Sequence, residues 1–215
     1  KLKIAIQGEL GAYSHIAVEN LYKGADIKTC ATFEETFNQA YKDASYKIVI
    51  PIENSLAGRV ADIHYLFPKY KLQIHGEHFQ VVEHNLLCKQ DASINDIKFV
   101  RSHAQAIGQC QNLIHKRKFK QIISADTAGS AKELAEGNDK SIAAIASDLS
   151  AKIYNLKILE KNIEDEKGNV TRFLVMGKNI EQPEFNDQKK FITSCIFRVK
   201  SEPSALYKCL GGFAT

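Results

Sequence analysis

Residues 3–22 read KIAIQGELGAYSHIAVENLY and contain the unit that decides the fold. Lys3–Gln7 is a short β-branched run with strand character, Gly8–Ser14 is a polar turn with glycines, and Ser14–Tyr22 has apolar residues at helical spacing. The same order of strand, turn and helix recurs along the chain, which is typical of α/β architecture. A chain of 215 residues suits one large α/β unit or two small lobes, because domains average about 150 residues.

The recurring pattern predicts a series of strands separated by amphipathic helices. The predicted strands are Lys3–Gln7, Ile27–Ala31, Lys47–Ile52, Ile97–Arg101, Gln121–Ala125, Ser141–Ala146 and Leu156–Asn162. The predicted helices are Ser14–Tyr22, Thr32–Lys42, Ala104–Arg117, Thr127–Glu136 and Asp148–Tyr154.

The pattern changes where two extended runs adjoin without a helix between them, at Leu72–Phe79 and Gln80–Lys89. We interpret these runs as paired strands that cross from one lobe to the other. A turn at Gly168-Asn169 then leads into a further strand, Thr171–Met176, and makes a second crossing. The sequence therefore predicts a hinged, two-lobed α/β region. Lobe one is about 1–75 plus 162–180, and lobe two is about 76–161.

The C-terminal part differs in composition. Residues 181–190 are polar, contain Pro183 and are predicted to be a linker. A strand at Phe191–Lys200 and a helix from Pro203 through Leu210 are expected next. Because one strand and one helix cannot bury their own apolar faces, residues 191–215 are predicted to be only the start of a second domain.

The charge and the cysteine content exclude several classes of protein. Lys and Arg number 29 against 25 Asp and Glu, and the net charge of +4 is too small to predict a nucleic-acid partner. Five scattered cysteines fit neither a disulfide framework nor a zinc site, so no metal is expected. No stretch is apolar enough for a signal peptide or a membrane span, so we expect a soluble cytoplasmic protein without a membrane partner.

Ligands of open α/β sheets bind at the carboxyl ends of the strands, and polar junctions follow several predicted strands. Their helix N-termini suit a small carboxylated or phosphorylated ligand. Gly8–Ser14 lacks the third glycine of a dinucleotide site, so no cofactor is predicted; Gly8 and Gly11 could equally serve only to relieve strain. The junctions are Gly8–Ser14, Pro51–Arg59, Arg101–Gln105, Ala125–Ser130 and Ala146–Asp148.

The second junction contains Glu53, Asn54 and Ser55, followed by Arg59, and so combines an acceptor, an amide, a hydroxyl and a cation. A binding loop is one interpretation, and capping of the following helix is the other. His103 is likewise either a proton donor or a polar turn residue.

The predicted helix Ala104–Arg117 carries Gln105, Gln109 and Asn112 on one face. This face either binds a ligand through its amides or is an ordinary solvated surface. On the opposite face Cys110 is expected to be a packed thiol.

Strand alternation places Thr171 and Phe173 on one face of their strand and Arg172 on the other. A hydroxyl beside an aromatic ring suits an aromatic or pre-aromatic substrate. An ordinary strand is the alternative, since Thr and Phe are good strand formers.

Six short motifs also follow one another in a recognisable order. They are Gly8–Ser14, Pro51–Ser55 with Gly58, Ser102-His103 leading to Gln109-Cys110, Asp126–Ala131, Ala143–Ser147 and Asn169–Phe173. In this order they resemble the prephenate dehydratase family from end to end. The chain departs from the family at Ala104, where proline usually follows the histidine.

The resemblance implies two α/β lobes similar in plan to type II periplasmic binding proteins, with substrate in the cleft between them. It further implies an α+β, ferredoxin-like ACT domain after the linker, where phenylalanine binds and inhibits. Residues 191–215 would be the N-terminal fragment of that domain, with Ser204, Ala205 and Leu206 standing where the family commonly has Gly-Ala-Leu. A homodimer or homotetramer is expected on the same ground.

The implied activity is the decarboxylating dehydration of prephenate to phenylpyruvate in L-phenylalanine biosynthesis, without a cofactor. Thr171 matches the catalytic threonine, and a relay through Glu53, His103 or water would supply its proton. Arg59 or Arg172 would hold the carboxylates. The other substrate-binding candidates are Ser14, Asn54, Ser55, Ser102, Gln109, Thr127, Ser147 and Phe173.

Three alternatives remain at this stage. An arogenate dehydratase would perform the same chemistry on the amino-acid analogue. A non-catalytic two-lobed solute-binding module would bind its ligand without turnover. A regulatory protein would use the cleft only to sense metabolites.

Overall fold

We describe a computed structural model of the chain that covers residues 1–179 and 184–214. The chain divides into two units, Lys1–Glu181 and Gln182–Thr215, which are described separately. The strands of the first unit are β1 (Lys3–Gln7), β2 (Asp26–Cys30), β3 (Tyr46–Asn54), β4 (Gly58–Arg59), β5 (Gln73–Val81), β6 (Asn85–Cys88), β7 (Phe99–His103), β8 (Lys120–Ser124), β9 (Ile142–Ala146), β10 (Lys157–Glu160) and β11 (Val170–Gly177). Its helices are α1 (Tyr13–Leu21), α2 (Phe33–Lys42), α3 (Leu66–Tyr70), α4 (Ala104–Gly108), α5 (Gln111–Arg117), α6 (Thr127–Glu136) and α7 (Asp148–Ile153), with a 3₁₀ turn at Ala61–Ile63.

The first lobe is built on a sheet of order β2-β1-β3-β11-β5, with β4 paired to β3. β1, β2 and β3 are parallel, and β11 returns antiparallel between β3 and β5. Both faces of this sheet are covered. Phe37 of α2 packs in one core with Leu174, and Val18 of α1 packs in the other with Phe173. Burial on both faces explains the nearly continuous apolar runs in the central strands.

The second lobe is built on a sheet of order β10-β6-β9-β7-β8. Ile107 of α4 and Ile114 of α5 pack in a core on one face, and Leu134 of α6 packs in a core on the other. The prediction of a two-lobed α/β region is confirmed.

The crossings between the lobes differ in detail from the sequence interpretation. β5 belongs to the first sheet, where it pairs with β11, and β6 belongs to the second, where it pairs with β9 and β10. The two runs between Leu72 and Lys89 therefore do not pair with each other. The chain passes between the lobes at residues 82–84 and returns at 161–169, so the first crossing lies later than the predicted position near 75.

The single helix predicted at Ala104–Arg117 is interrupted at Gln109 and Cys110, between α4 and α5. Asp165 caps the second segment, because its carboxylate accepts hydrogen bonds from the backbone N–H groups of Gln111 at 2.8 Å and Asn112 at 3.1 Å. Gln109 and Asn112 consequently do not share one helical face. Cys110 is fully buried, as predicted.

In the second unit, Phe191–Lys200 forms no strand, which corrects the prediction. A strand needs hydrogen-bonded neighbours, and the described residues of this unit offer none. Helix α8 spans Ala205–Gly211. Ser204 precedes it with φ of 65°, a conformation that glycine adopts most readily. The assignment of residues 191–215 to an ACT domain stays a prediction, as does the linker at 181–190, of which residues 181–183 lie outside the described residues.

No described helix combines the length and apolar character that crossing a membrane requires. All five cysteines are free thiols.

Candidate active site

A cavity of about 880 Å³ lies in the cleft between the two lobes. Its lining comes from both lobes and from both crossings, at the ends of strands where the sequence analysis placed the polar junctions. From the candidate residues it includes Ser14, Asn54, Arg59, His103, Gln109, Thr127, Thr171 and Phe173.

Thr171 is held by Asn54 across the β3–β11 pair. Asn54 Nδ2 donates to Thr171 Oγ1 at 2.9 Å. The Asn54 Oδ1 atom accepts the backbone N–H groups of Leu56 at 3.0 Å and Ala57 at 2.9 Å, which fixes the orientation of the amide. Because Thr171 Oγ1 is an acceptor in this contact and finds no protein acceptor among the described residues, its hydroxyl hydrogen is available to a ligand in the cavity.

The same amide begins a longer chain of hydrogen bonds. Asn54 Nδ2 also donates to Asn169 Oδ1 at 2.6 Å, and Asn169 Nδ2 donates to Gln109 Oε1 at 2.9 Å. His84 Nε2 lies 2.9 Å from the same Gln109 oxygen. These hydrogen bonds connect β3 of the first lobe, both crossings and the second lobe. The position of the Thr171 hydroxyl therefore depends on contacts in both lobes.

Arg172 lies on the opposite face of β11 from Thr171, as strand alternation predicted. Its guanidinium pairs with Glu53 Oε1 at 3.1 Å and with Glu77 Oε2 at 2.7 Å. These hydrogen bonds raise the pKa of Arg172, although burial opposes them as the largest single influence. Neither Arg172 nor Glu53 lines the cavity. The structure therefore corrects the prediction that Glu53 relays a proton and that Arg172 holds a carboxylate.

Two predicted binding serines also have structural contacts instead. Ser55 Oγ accepts the backbone N–H of Val170 at 2.9 Å, which ties the residue after β3 to the start of β11. Ser102 is fully buried and donates to the carbonyl of Ile145 at 2.7 Å, which ties β7 to β9. These hydroxyls are satisfied within the sheets and do not line the cleft.

Ser147 joins the lobes rather than lining the cavity. Its hydroxyl and that of Ser150 donate to the carbonyl of Gly11 at 2.6 Å and 3.0 Å. Gly11 has φ of +93°, and a Cβ there would lie 2.5 Å from Ser150 Oγ. Glycine is needed at position 11 for the close approach of the two lobes.

Two positively charged or partly positive groups at the cavity belong to the first lobe. Arg59 is exposed on β4, and the structure gives it no ion pair within residues 1–179 and 184–214. Helix α1 begins at the cavity with Tyr13 and Ser14 and has no side-chain cap, so its first N–H groups are free for an anion. In contrast, the carboxylate of Asp126 occupies the start of α6 by accepting Gly129 N–H at 2.6 Å, beside Thr127.

His103 is the N-cap of α4, and its Nδ1 atom accepts the Gln105 N–H at 3.3 Å. Its side chain lines the cavity, so it remains within reach of a ligand. Its role as a proton donor stays a prediction.

The sequence analysis missed three residues of the site, Tyr13, His84 and Asn169. The hydroxyl of Tyr13 lies 2.6 Å from the Glu83 carbonyl and 3.1 Å from His84 Nδ1. Burial raises the pKa of Tyr13 and lowers the pKa of His84. Asn169 stands in the sequence only within a turn and the motif Asn169–Phe173, where nothing assigns it a role of its own. No periodic pattern could reveal these residues, because their importance arises from burial at the crossings.

The fold and the cleft define a two-lobed α/β protein with a polar, inter-lobe site whose central hydroxyl faces the cavity. The chain belongs to the prephenate dehydratase family, whose model matches residues 4–181. Membership places it among the dehydratases, which are lyases.

Two curated relatives match almost the whole chain. A bifunctional N-acyl-homoserine lactone acylase/prephenate dehydratase from Komagataeibacter europaeus is 38% identical over 99% of this chain and 75% of its own length. Arogenate dehydratase/prephenate dehydratase 2 from Arabidopsis thaliana is 37% identical over 100% of this chain and 56% of its own length. The chain thus spans little more than half of the plant relative.

A solved prephenate dehydratase from Staphylococcus aureus has a similar fold. It aligns with a TM-score of 0.74 at 26% identity over 99% of this chain and 78% of that one.

Proposed function

We propose that the cleft catalyses the decarboxylating dehydration of prephenate to phenylpyruvate. The observation that carries this proposal is the Thr171 hydroxyl, which lines the cavity, accepts a hydrogen bond from Asn54 and keeps its own hydrogen available to a ligand. Membership in the prephenate dehydratase family supports the substrate class.

The reaction needs one proton and no external electron acceptor. The bond from the ring to its carboxylate breaks and releases carbon dioxide, and that electron pair enters the ring. At the opposite ring carbon the C–O bond breaks, and the departing hydroxide takes a proton and leaves as water. Aromatisation supplies the driving force. The enzyme's task is therefore to hold the substrate and to stabilise the leaving oxygen.

Thr171 is placed to donate its hydrogen bond to the leaving hydroxyl. A threonine hydroxyl is a weak acid, so the proton itself must come from a second group. Glu53 lies on the other face of the sheet, which leaves His103 or water as the proposed source. Phe173 projects from the same face of β11 as Thr171, but it is 2% exposed and packs in the core with Val18, so it offers the substrate ring little surface.

Arg59 and the uncapped start of α1 are proposed to bind the side-chain carboxylate. Both lie in the first lobe at the cavity, and both direct positive potential toward it. With the carboxylate bound there, the ring is proposed to lie near Thr171, which is the arrangement that the chemistry requires.

We also propose a cytoplasmic homo-oligomer in which residues 191–215 begin an ACT domain. The positive φ of Ser204, at the place where the family commonly has glycine, supports this assignment. Inhibition by phenylalanine would require the rest of that domain.

The test is to assay the purified chain with prephenate and to follow phenylpyruvate. Thr171→Ala is expected to lower kcat by about 10²–10³-fold, the usual effect of losing one donor to a developing oxyanion. Thr171→Ser keeps the hydroxyl and is the matched control, with most of the activity retained. Near-normal turnover in the alanine variant would remove Thr171 from this role.

Arogenate dehydratases among the relatives make arogenate the competing substrate. Its side chain carries an ammonium group where prephenate has a ketone. Parallel assays with both substrates, compared as kcat/KM, separate the two activities. A higher kcat/KM for arogenate would replace the proposed substrate while leaving the role of Thr171 intact.

A further inference from the structure

The chain of amides behind Thr171 has a fixed direction, because the backbone sets it at one end. Two backbone N–H groups, from Leu56 and Ala57, point at one atom of the Asn54 side chain, which must therefore be the oxygen. The Asn54 nitrogen then faces Asn169, whose facing atom must be an oxygen. By the same argument the Asn169 nitrogen faces Gln109 Oε1. Reversing any one amide would bring two donors together.

The direction of these hydrogen bonds also determines which ring nitrogen of His84 carries a hydrogen. Gln109 Oε1 can only accept, so the His84 Nε2 atom that lies 2.9 Å away must carry a hydrogen. In the neutral ring the other nitrogen, Nδ1, is then an acceptor. The hydroxyl of Tyr13 lies 3.1 Å from it and 2.6 Å from the Glu83 carbonyl, so these two acceptors share its one hydrogen. Gln109 Oε1 thus receives hydrogen bonds from both His84 and Asn169, and its Nε2 amide group has no protein acceptor among the described residues.

We propose that His84 is a positioning residue that holds the Gln109 amide with its N–H₂ group presented to the cleft as a hydrogen-bond donor. This inference rests on the proposed function and deepens it, because it states what Gln109 can recognise. A donor selects an oxygen of the substrate, either a carboxylate or a hydroxyl. It cannot form a hydrogen bond with an ammonium group at the same place, because both groups are donors.

The surroundings of His84 fit a rigid support. Its side chain is 2% exposed and packs edge-on against the Tyr13 ring at a centroid distance of 5.8 Å. Its backbone N–H donates to Glu164 Oε2 at 3.0 Å, and its carbonyl accepts the Ile163 N–H at 2.9 Å. The return crossing therefore clamps the first crossing at this residue, so that the imidazole cannot turn away without breaking several contacts.

The tautomer is the first test, and it does not depend on turnover. Nitrogen NMR of the chain with ¹⁵N-labelled histidine reports which ring nitrogen carries the hydrogen, and His84→Gln identifies the His84 signals by their loss. At about pH 8, where histidine is neutral, we expect His84 in the Nε2–H form. An Nδ1–H form would overturn the inference, whatever the activity of the enzyme.

Kinetics provide the second test. His84→Leu removes the donor to Gln109 and is expected to raise KM for prephenate about tenfold, the effect of one hydrogen bond, with kcat changed less than about threefold. His84→Gln places an amide N–H near the lost Nε2–H and should restore KM to within about threefold. His75→Leu, at an exposed histidine outside the cavity, is the matched control and should leave KM unchanged.

A double-mutant cycle distinguishes positioning from a general structural role. In a Gln109→Ala background, His84→Leu should raise KM no further, because the residue through which it acts is already gone. Additive effects of the two substitutions, or an equal loss in His84→Gln and His84→Leu, would overturn the inference. If the unsubstituted enzyme does not convert prephenate, the proposed function fails, whereas the NMR result still decides the hydrogen-bond direction.

Discussion

Thr171 and Arg172 are neighbours on β11, yet they belong to different parts of the molecule. Thr171 faces the cleft, is 9% exposed and receives one neutral hydrogen bond from Asn54. Arg172 faces the other side of the sheet and lies between two carboxylates, those of Glu53 and Glu77. Successive residues of a strand point to opposite faces of its sheet. Two neighbouring residues of one motif can therefore have different roles, one in the chemistry of the cleft and the other in supporting the structure.

The pairing register extends this division to β3. Thr171 is opposite Asn54, and Arg172 is opposite Glu53. Each of these two residues therefore meets the β3 residue that points to the same face. The cleft face receives an amide chain, and the outer face receives an ion-pair cluster. Substitutions at these two pairs should have separate consequences, one for catalysis and the other for stability.

The largest effect is expected from Asn54→Asp on the cleft side. The aspartate keeps an acceptor for the backbone N–H groups of Leu56 and Ala57, so the turn should form. It loses both donors, to Thr171 and to Asn169, and places lone pairs opposite their oxygens. We expect kcat/KM for prephenate to fall by at least about 10²-fold, measured by phenylpyruvate formation.

Asn20→Asp is the matched control for this change, because Asn20 is exposed on α1 and lies outside the cavity. It should retain the kinetics of the unsubstituted enzyme. Normal turnover in Asn54→Asp would show that Thr171 does not depend on the amide for its orientation.

A smaller effect, of a different kind, is expected from Arg172→Leu on the outer face. The substitution leaves two carboxylates without their cation, and we expect the free energy of unfolding to fall by about 1–2 kcal/mol. Urea denaturation followed by circular dichroism measures this loss. Because Arg172 does not touch the cavity, KM and kcat should stay within about twofold at a temperature where the variant is folded. A loss of kcat comparable to that of Thr171→Ala would assign Arg172 to the chemistry.

The division between the faces shows what the sequence could predict. Alternation alone separated Thr171 from Arg172, because a strand has a period of two. It could not say that Glu53 would accompany Arg172, since that depends on how β3 pairs with β11, residues that lie more than a hundred positions apart. The register of a long-range pair is set by the packed sheet and not by either segment.

The hydroxyls were harder to assign than the fold. Ser102, Ser147 and Thr127 all stand at strand ends or helix starts, where a ligand could meet them. Two of the three are used within the protein, for strand pairing and for contact between lobes. Sequence position identifies a polar group near the site, but only the geometry shows whether its hydrogen bond is already made.

His84 and Asn169 are the converse case, because the sequence does not indicate them as site residues although the structure places them in the site. Both lie in the crossings, where the sequence shows only extended and turn-like segments. Both are 2% exposed and carry the hydrogen bonds that join the lobes. Burial of polar side chains in connecting segments is created by the approach of two lobes, and no local pattern contains that information.

The smallest effect is expected from Glu53→Gln, which bears directly on the contrast between the two faces. Glu53 is 54% exposed in its side chain, and Arg172 keeps its shorter contact with Glu77 when Glu53 is neutralised. We expect the free energy of unfolding to fall by no more than about 0.5 kcal/mol and kcat to stay within about twofold. Glu77→Gln is the matched control and should destabilise more, because Glu77 accepts hydrogen bonds from both Nε and Nη2 of Arg172. A tenfold or greater fall in kcat for Glu53→Gln, without a change in stability, would return Glu53 to the proton relay and contradict the division of β11 into a catalytic and a supporting face.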